Sequence, residues 1–563
     1  MKVVVIGGVA GGATAAARIR RLDEQAEIVV FERSGFISYA NCGLPYYIGG
    51  TIEDENDLTL QTPESFWKRF RVKMNVHHEV TAIHPDSKTV TVKNLENGKV
   101  FTESYDKLVL SPGAKPIKPG FDGIDGDKIF TLRTVEDTLK IKKYADEHHP
   151  KSAVVVGGGF IGIEIVENLR DLGINVTLVE ATKQLMAPFD RDMASFIHAE
   201  IRKNGINLML DTLVEGFVDT DCGIDVKLKN EPTLHTDMVV MAIGVAPETT
   251  LAKEAGLELG IKSSIVVNDK METSIPDIYA VGDAVQIKNF VTNKDTLISL
   301  AGPANKQGRI AADNICGGDS HYTGGQGSAI IKIFDMTAAA TGISEKTAKS
   351  LGIVADKVIL SPMSHAGYYP GGKMMTIKVL FEKESYRILG AQIVGFEGVD
   401  KRIDVLATAI RAGIKAYDLS ELDLAYAPPY SSAKDPVNMA GYIIENIKNS
   451  IVKQWYYEED ETLPRDGSVT LLDTRTPMEY SMGHAEGFIN IPVDELRERI
   501  GKLDKSKPVY VICQSGLRSY IASRILMGNG FDSYNFAGGF RFYDAVHNDK
   551  ALNKKSTPCG MDD

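Results

Sequence analysis

The chain has 563 residues and a formal net charge of -12. At roughly 100–200 residues per domain, this length predicts about three to five domains, and the negative charge argues against nucleic acid or an anionic membrane as a main partner. The N-terminus lacks the layout of a signal peptide, and no apolar run approaches the ~20 residues that span a bilayer. We therefore expect a soluble, cytoplasmic protein with no membrane partner.

The cysteines are few and widely spaced, and none forms a CxxC pair: Cys42, Cys222, Cys316, Cys513 and Cys559. This spacing is not typical of a disulfide framework or of a zinc site. We predict no metal site, and we expect that a sulfur with a function is reactive rather than structural. No role is assigned to the second, third and fifth cysteines.

The first predicted unit begins at the N-terminus. A β-branched run, Val3–Ile6, leads into the turn "GGVAGG", and an alanine-rich helix extends to about Leu22. The next strand, Ile28–Phe31, ends at Glu32. This pattern is typical of a dinucleotide fold, in which helix N-terminal amides face the pyrophosphate and the carboxylate binds ribose hydroxyls. The fit is imperfect, because Val9 stands where G-x-G-x-x-G has its second glycine.

The same pattern recurs in the middle of the chain. The strand Ala153–Val156 leads into "GGGFIG", a complete G-x-G-x-x-G that is followed by a helix, and the strand Asn175–Val179 ends at Glu180. Two such units in one chain are far more specific than one. A carboxylate at Glu180 would accept from an adenosine 2′-hydroxyl and repel a 2′-phosphate, so we predict NADH rather than NADPH.

Later segments complete the first unit. Lys107–Leu110 and the strand that ends at Gly282-Asp283 are predicted to join its sheet, so the second unit is inserted into the first. From about Ala329, alternating strands followed by helices predict an α+β domain. The predicted fold is multidomain α/β: a first nucleotide domain at 1–112 and 245–325, a second at 113–244, an α+β domain at 326–448, a linker at 449–467 and a last domain at 468–563.

These units resemble the two-dinucleotide-binding flavoprotein disulfide reductases. The segments "SYANCGLPYYIGG" and "YAPPYSSAKDPVNMAG" are similar to the single-cysteine branch, which contains NADH oxidases, NADH peroxidases and coenzyme A disulfide reductases. The resemblance covers Met1–Lys448 and implies FAD in the first nucleotide domain, NADH in the second and dimerisation through the α+β domain. Cofactor contacts are expected at Gly7, Gly8, Ala10, Gly11, Glu32, Arg33, Val80, Ser111, Gly113, Arg133, Asp283, Ala301, Gly157, Gly159, Phe160, Ile161, Gly162, Glu180 and Gly244.

Cys42 is the sulfur that such a resemblance places beside the flavin. With one protein sulfur, the second partner must be a substrate thiol, which gives a mixed disulfide, or oxygen, which gives a sulfenic acid. Both routes need a thiolate. We expect a helix start and the oxidised flavin to lower the pKa of Cys42.

Around "NCGLPY" the chain most resembles coenzyme A disulfide reductases. That resemblance implies two tyrosines, Tyr368 and Tyr426, which donate to a departing sulfur at the partner subunit's Cys42, and hence a homodimer. Arg18 and Arg21 share one helix face through their i,i+3 spacing. The implied site for the 3′-phospho-ADP of coenzyme A contains Arg18, Arg21, Ser38, Asn41 and Phe66.

The last domain carries a second cysteine motif. The strand Val509–Ile512 runs into the loop from Cys513 to Arg518, and "GHAEGFINIP" precedes it. The combination resembles a rhodanese domain. A strand-to-helix turn points backbone amides inward as an anion nest, and Arg518 adds charge to its rim. Phosphatase loops are longer by one residue, so this loop should suit a single sulfur, held as a Cys513 persulfide.

We therefore predict an NADH-dependent flavoprotein that reduces coenzyme A persulfide, polysulfide or coenzyme A disulfide. A Cys42–coenzyme A mixed disulfide would be the resting form, and Cys513 would carry sulfane sulfur. Three alternatives stay open: an NADH oxidase or peroxidase that uses a Cys42 sulfenic acid, a thiosulfate sulfurtransferase that needs only the last domain, and a sulfide-sensing module that binds a partner. The direction of sulfur transfer between the two cysteines also stays open.

Overall fold

The computed structural model describes residues 1–553, and Cys559 lies outside the described residues. The chain divides into two compact units, one made of Met1–Lys183 and Ile206–Gly327, the other of Gln184–Gly205 and the chain from Ser328 onward. The predicted multidomain α/β fold is confirmed. Within residues 1–553, no helix has both the length and the apolar character that a membrane crossing requires.

The first 244 residues contain most of both nucleotide-binding sheets. Residues 1–112 form β1 (Lys2–Ile6), α1 (Ala10–Leu22), β2 (Glu27–Phe31), α2 (Leu44–Ile48), α3 (Pro63–Phe70), β3 (Lys73–Asn75), β4 (His78–His84), β5 (Thr89–Asn94), β6 (Val100–Ser104) and β7 (Lys107–Leu110). Residues 113–244 form β8 (Ala114–Pro116), β9 (Ile129–Thr131), α4 (Val135–His148), β10 (Ser152–Val156), α5 (Phe160–Asp171), β11 (Asn175–Val179), α6 (Arg191–Lys203), β12 (Asn207–Met209), β13 (Val214–Thr220), β14 (Gly223–Leu228), β15 (Leu234–Thr236) and β16 (Met238–Met241).

The chain then returns to the first sheet. Residues 245–325 form β17 (Val245–Pro247), α7 (Thr250–Glu254), β18 (Ile265–Val266), β19 (Ile278–Ala280), β20 (Val285–Lys288), β21 (Asp295–Thr296) and α8 (Ala301–Ile315). The first parallel sheet has the order β19-β7-β1-β2-β3, and the second has the order β12-β11-β10-β16-β9. Because β19 pairs directly with β7, the first sheet is assembled from segments on both sides of the second.

Both faces of the first sheet are buried, which is why β1 is continuously apolar. Val3 and Val5 pack in a cluster with residues of α1 and α8, whereas Val4 and Ile6 pack in another with residues of β4, β5 and β7. Alternation along the strand sends successive side chains to opposite faces. At the carboxyl ends of β1 and β10 the chain enters a glycine turn that leads directly into a helix, α1 and α5 respectively.

The α+β domain contains an antiparallel sheet. Residues 326–452 form β22 (Ala329–Ile333), β23 (Met336–Gly342), α9 (Glu345–Ser350), β24 (Ala355–Leu360), β25 (Met375–Glu382), β26 (Ile388–Gly395), α10 (Val399–Ala412) and α11 (Pro436–Lys448). The strand order is β22-β23-β26-β25-β24. Helix α6, which the sequence places in the second nucleotide domain, lies in this second unit, where Lys378 of β25 forms an ion pair with Asp192 of α6.

The last domain has a parallel sheet. It is formed by β27 (Lys453–Trp455), α12 (Tyr457–Asp460), β28 (Thr470–Asp473), α13 (Pro477–Ser481), β29 (Ile489–Asn490), α14 (Leu496–Arg499), β30 (Val509–Ile512), α15 (Leu517–Gly528), β31 (Ser533–Phe536) and α16 (Gly539–Leu552), with the sheet order β27-β31-β30-β28-β29. The segment predicted as a linker thus supplies an edge strand. Trp455 in that strand is fully buried, and its ring lies 4.4 Å from that of Phe536. Burial of this large apolar ring ties the segment to the domain.

Candidate functional site

The first nucleotide turn is packed too closely to admit side chains. Gly7 has φ +95°, and a Cβ there would lie 2.1 Å from Ser111 O. A Cβ on Gly12 would lie 1.9 Å from Gly7 O, so α1 must begin with small residues. Glu32 is held at this turn, because its Oε2 accepts the Gly8 N–H at 2.8 Å and its Oε1 accepts a further backbone N–H at 2.9 Å. The remaining lone pairs can accept ribose hydroxyls.

The second nucleotide turn repeats this construction. Gly157 has φ +111°, and a Cβ on Gly162 would lie 1.9 Å from Gly157 O. Gly159 has no atom within 4 Å of a Cβ position, which leaves the backbone open to a pyrophosphate. Glu180 Oε2 accepts the Gly158 N–H at 2.7 Å. The described residues therefore fit two dinucleotide cofactors, one at each turn.

Arg133 connects residues that were predicted to serve different ligands. Its Nη2 lies 2.8 Å from Asp283 Oδ2, and its Nε donates to Ala114 O at 3.1 Å. In the amide orientation that satisfies both groups, Asn41 accepts from Arg133 Nη1 at 2.9 Å and donates to Arg133 O at 3.0 Å. The residue before Cys42 is thus anchored to the strand-end aspartate of the first nucleotide domain.

The other predicted cofactor residues differ in accessibility. Arg33 is exposed, Ala301 begins α8, and the side chain of Val80 is buried in the core, so Val80 can offer a ligand only its backbone. Gly113 and Gly244 adopt φ values of +70° and +116°. Ala10 begins α1, Gly11 lies in its first turn against Ser111, and Phe160 and Ile161 form the start of α5.

Cys42 is a free, exposed thiol in the short turn Asn41–Gly43 that precedes α2. Although the thiol reaches solvent, the surrounding protein desolvates the thiolate and raises the pKa of Cys42, and the Glu164 carboxylate raises this pKa further, while Arg133 acts in the opposite direction. Helix α2 has 5 residues, so its dipole is small. The helix start by itself therefore does not lower the pKa of Cys42, and the part of the prediction that rests on the oxidised flavin stays a prediction.

Glu164 on α5 is a neighbour of Cys42 that the sequence did not indicate. Burial, with a contribution from the nearby Glu167 carboxylate, raises the pKa of Glu164 to about 7. Glu164 also contributes, after burial, to raising the pKa of Tyr46 to about 12. A carboxyl group that changes charge near neutral pH thus lies within electrostatic reach of the redox cysteine.

A cationic cleft of about 240 Å³ lies between α1 and α8. Arg18 and Arg21 line it from α1, and Lys306 and Arg309 line it from α8. Arg18 Nε forms an ion pair with Asp313 at 2.7 Å, which neutralises part of this charge. Three further cations remain, a number that suits the phosphates of an ADP group. The two α8 residues share an i,i+3 spacing that could have indicated them.

Two other residues predicted for this ligand lie elsewhere. Ser38 adopts φ +46° and donates its N–H to Gly8 O at 2.9 Å, which places it beside the first nucleotide turn. Phe66 is 3% exposed, and its ring lies 4.8 Å from that of Phe70 in the hydrophobic core. The structure therefore does not leave the ring of Phe66 accessible, whereas the next residue, Trp67, is 48% exposed.

The structure brings the two predicted tyrosines together. Tyr368 and Tyr426 lie 58 residues apart in sequence, and their hydroxyl oxygens are 2.5 Å apart. The hydrogen bond with Tyr368 raises the pKa of Tyr426. Both side chains are exposed, so the pair presents phenol protons at the surface of the second unit.

The second candidate centre is the Cys513 loop. Cys513 follows β30 directly and is fully buried. Its Sγ accepts the Gly516 N–H at 3.2 Å and the Ser519 hydroxyl at 3.2 Å. Gly516, with φ +99°, makes the turn from the loop into α15. The loop therefore stabilises a sulfur anion with one backbone and one side-chain donor, and Ser519 was not identified from the sequence.

Arg518 is held by a carboxylate. Its Nη1 and Nη2 lie 2.7 Å and 2.6 Å from the two carboxylate oxygens of Glu479, and these bonds lower the pKa of Glu479 to about 2. Thr476 fixes Glu479 in turn through a capping box at the start of α13. The predicted rim charge is therefore present but is neutralised in this arrangement.

One group of carboxylates in the second unit has the spacing of a metal site. Single oxygens of Asp192, Glu345 and Glu458 lie within 4.8 Å of one another. Lys378 Nζ lies 2.8 Å from Asp192 Oδ2 and 2.9 Å from Glu345 Oε2, and Lys357 Nζ lies 2.8 Å from Glu458 Oε1. The lysines already supply the positive charge that a metal ion would provide.

Three family models match successive parts of the chain. Residues 1–308 match the pyridine nucleotide-disulphide oxidoreductase family, residues 328–436 match its dimerisation domain, and residues 457–545 match a rhodanese-like domain. The chain is 48% identical to reduced Bacillus anthracis CoADR-RHD, with a TM-score of 0.94 and coverage of 97% of this chain and 98% of that one.

Two further relatives cover 96% and 78% of this chain. A NAD-dependent persulfide reductase from A. fulgidus is 38% identical, with a TM-score of 0.91 over 96% of this chain and 100% of that one. A coenzyme A disulfide reductase of Staphylococcus aureus is 38% identical over 442 residues, which are 78% of this chain and 99% of the relative.

Proposed function

The chain belongs to the pyridine nucleotide-disulphide oxidoreductase family, and from that premise we propose that it uses NADH and FAD to reduce the sulfur–sulfur bond of coenzyme A persulfide, polysulfide or coenzyme A disulfide. The rhodanese-like domain would hold sulfane sulfur on Cys513. The relative named coenzyme A disulfide reductase supports the reduction of coenzyme A disulfide, and the relative named NAD-dependent persulfide reductase supports the reduction of a persulfide.

The observation that carries the proposal is the solitary position of Cys42. Within residues 1–553 every cysteine is free, and none of the others lies near Cys42 in sequence. A redox partner for this sulfur must therefore come from outside the chain, as a substrate sulfur or as oxygen. The cationic cleft between α1 and α8 offers a place for the phosphates of a substrate such as coenzyme A.

The proposed cycle needs one nucleophilic step at Cys42. The Cys42 thiolate attacks the inner sulfur of coenzyme A persulfide, the sulfur–sulfur bond breaks, HS⁻ leaves, and Cys42–S–S–CoA forms. FAD and NADH, when bound, supply the two electrons that convert this mixed disulfide to the Cys42 thiolate and free coenzyme A thiol. Glu164, whose pKa is about 7, is placed to hold a proton beside Cys42.

The tyrosine pair would act on the leaving sulfur. The Tyr368 and Tyr426 hydroxyls share a short hydrogen bond, so one phenol proton remains free to donate. We propose that this pair serves the partner subunit's Cys42 in a homodimer built through the dimerisation domain. Such a donor stabilises a departing thiolate or sulfide as its charge develops.

The preference for NADH rests on Glu180. Its carboxylate lies at the second nucleotide turn, where its oxygens accept the N–H groups of Gly158 and Thr182. A 2′-phosphate at this position would meet a fixed negative charge. We therefore propose that NADH is the electron donor.

Mass spectrometry of the purified protein without reductant tests the proposal. A coenzyme A adduct on the Cys42 peptide is expected, and it should disappear on treatment with NADH. Cys42→Ser should abolish NADH turnover on coenzyme A persulfide. Cys222→Ser, which removes another exposed thiol of the first unit, should leave the adduct and the turnover intact.

The alternatives predict different outcomes. Faster NADH oxidation with oxygen or peroxide than with coenzyme A persulfide would identify an oxidase or peroxidase. Thiosulfate sulfurtransferase activity that survives Cys42→Ser, with no reductase activity in the unmodified protein, would assign the function to the last domain. A sulfide-sensing role predicts that Cys513→Ala leaves reductase turnover on every sulfur substrate unchanged.

A further inference from the structure

A cavity of about 700 Å³ lies beside the Cys513 loop, within the second unit. This volume is in the range of small-molecule sites, about 300–1,000 Å³. Its wall next to the loop includes Gln514, and its lining is mixed: aromatic side chains such as Phe196, Phe396 and Phe540 alternate with charged ones. The cavity therefore combines apolar surface and charged groups with access to the segment that carries the reactive cysteine.

Arg541 is the unusual residue of this cavity. Its Nε is buried and has no hydrogen-bond partner in the described part of the chain. Desolvation lowers the pKa of Arg541, and no carboxylate counteracts this effect. The guanidinium lies 5.5 Å from the ring centroid of Phe196. A partly buried cation that no carboxylate pairs with is costly, and although carboxylates such as Asp544 also line the cavity, none of those in residues 1–553 forms an ion pair with Arg541.

The other cations of the cavity are neutralised. Arg202 Nη1 lies 2.8 Å from Asp549 Oδ1, and Arg475 Nη2 lies 2.7 Å from Asp473 Oδ2. Lys203 Nζ lies 3.3 Å from Glu200 Oε2, one turn earlier on α6. The absence of an anion is thus specific to Arg541 among the cavity arginines that residues 1–553 provide.

Backbone contacts fix Arg541 relative to Cys513. The Phe540 N–H donates to Cys513 O at 2.7 Å, and the Arg541 N–H donates to Gln514 O at 3.2 Å. Gly539, with φ +73°, allows this approach, because a Cβ there would lie 2.7 Å from Gln514 C. The first turn of α16 therefore rests against the cysteine loop, and the backbone of Arg541 is held next to that loop.

We propose that this cavity binds the organic part of the compound that exchanges sulfur with Cys513, and that this compound is a low-molecular-weight thiol whose carboxylate or phosphate pairs with Arg541. The inference rests on the proposed function, since it names the sulfur donor of that function's second cysteine. The apolar walls accept the alkyl and amide portions of such a thiol, and the guanidinium accepts its anionic end.

The transfer itself is a thiol–persulfide exchange. The Cys513 thiolate attacks the outer sulfur of R–S–SH, the sulfur–sulfur bond of the donor breaks, Cys513–S–SH forms, and R–S⁻ leaves. One sulfur–sulfur bond replaces another, so the step needs no oxidant or reductant. The reverse reaction delivers the sulfur to R–S⁻ with the same balance.

The test uses the full-length Cys42→Ser protein, in which the first unit cannot consume the donor. Mass spectrometry would follow the gain of one sulfur on the Cys513 peptide as a function of donor concentration. The donors are coenzyme A persulfide, glutathione persulfide and mercaptoethanol persulfide, the donor whose organic part is uncharged. Arg541→Gln is expected to raise the half-saturating concentration of an anionic donor roughly tenfold or more and to leave the uncharged donor unaffected.

The matched control is Arg497→Gln, which removes an exposed arginine of the same domain that does not line the cavity; it should change none of the three curves. Ala545→Phe fills the cavity from α16 without removing a charge. Ala545→Phe should raise the half-saturating concentration of the anionic donors. It is the variant to use if Arg541→Gln fails to fold. A response confined to coenzyme A persulfide or to glutathione persulfide identifies which anionic thiol is bound.

The proposal is overturned if Arg541→Gln leaves the half-saturating concentrations of both anionic donors unchanged. It is also overturned if the variant raises that of the uncharged donor equally, because the arginine would then have a structural role. The result does not depend on NADH turnover. If no coenzyme A were found on Cys42, the proposed function would be refuted while the loading of Cys513 would still be measured.

Discussion

Removal of the Ser519 hydroxyl should specifically reduce the reactivity of Cys513. In the native loop Cys513 Sγ accepts hydrogen bonds from the Gly516 N–H and from Ser519 Oγ, each at 3.2 Å. The serine hydroxyl has one proton and can alternatively donate to Gly516 O at 3.1 Å. A thiolate attracts that proton more strongly than a carbonyl does, so the bond to sulfur should form when the sulfur is ionised.

The expected magnitude follows from one charge-assisted hydrogen bond. A hydrogen bond to a charged group contributes about 1.5–3 kcal/mol, and competition from the carbonyl places this case near the lower value. Loss of about 1.5 kcal/mol of stabilisation of the reacting sulfur anion corresponds to a factor of about ten. A less stabilised sulfur anion is more nucleophilic, which recovers a factor of about three. Ser519→Ala should therefore slow alkylation of Cys513 roughly threefold to fourfold.

The assay is iodoacetamide labelling of the full chain, with the Cys513 peptide quantified over time. The Cys42 peptide of the same sample is an internal reference, since it belongs to the other unit and should react at an unchanged rate. Ser523→Ala is the matched control, because Ser523 is also fully buried on α15 but its hydroxyl accepts a hydrogen bond from Ser533. Equal rates for the two alanine variants would refute the reasoning.

Three further outcomes follow from the charges of the structure. Lys378→Met leaves buried carboxylates uncompensated and should lower the free energy of unfolding by about 3–5 kcal/mol, measured by calorimetry against the exposed Lys383→Met; an equal effect of both changes would contradict this. Glu164→Gln should lower the pKa of Cys42, because the carboxylate that raises it is removed; the effect should be seen only above about pH 7, where Glu164 is ionised, in pH profiles of Cys42 alkylation. Hydrogen bonds from Arg518 lower the pKa of Glu479 from its usual 4.5 to about 2. The ionised carboxylate therefore stabilises the fold at pH values above about 4.5, and this stability is lost as the pH falls toward about 2. Glu479→Gln should abolish this part of the acid transition in calorimetry.

The sequence motifs that were correctly interpreted depend on short-range steric rules. A strand that ends in a glycine turn and a helix has few alternative structures, because a Cβ at Gly12 or Gly162 would collide with a backbone oxygen only a few residues away. In the loop that joins β30 to α15 the constraint is the backbone conformation, since Gly516 has φ +99°. Such requirements are local, and the residue order alone therefore predicted both nucleotide turns and the fold class.

The composition of each site depended on contacts between distant segments. The cationic cleft unites α1 with α8, and its Arg18–Asp313 pair joins residues 295 apart in sequence. Trp455 became a core residue because β27 pairs with β31, although the acidic residues after it suggested a linker. Neither pairing has a signature within the segments themselves, since each segment is compatible with an exposed position.

Electrostatic environment was the property furthest from prediction. A helix start after Cys42 suggested a lower thiol pKa, but burial and the Glu164 carboxylate raise it. Likewise, Arg518 had the right spacing for an anion site, yet Glu479 neutralises it, while Arg541, which no motif marked, forms no ion pair within residues 1–553. The residue order by itself determined which reactive groups the protein has. The tertiary structure decided their charge and their partners, because desolvation and ion pairing arise only when separate segments pack together.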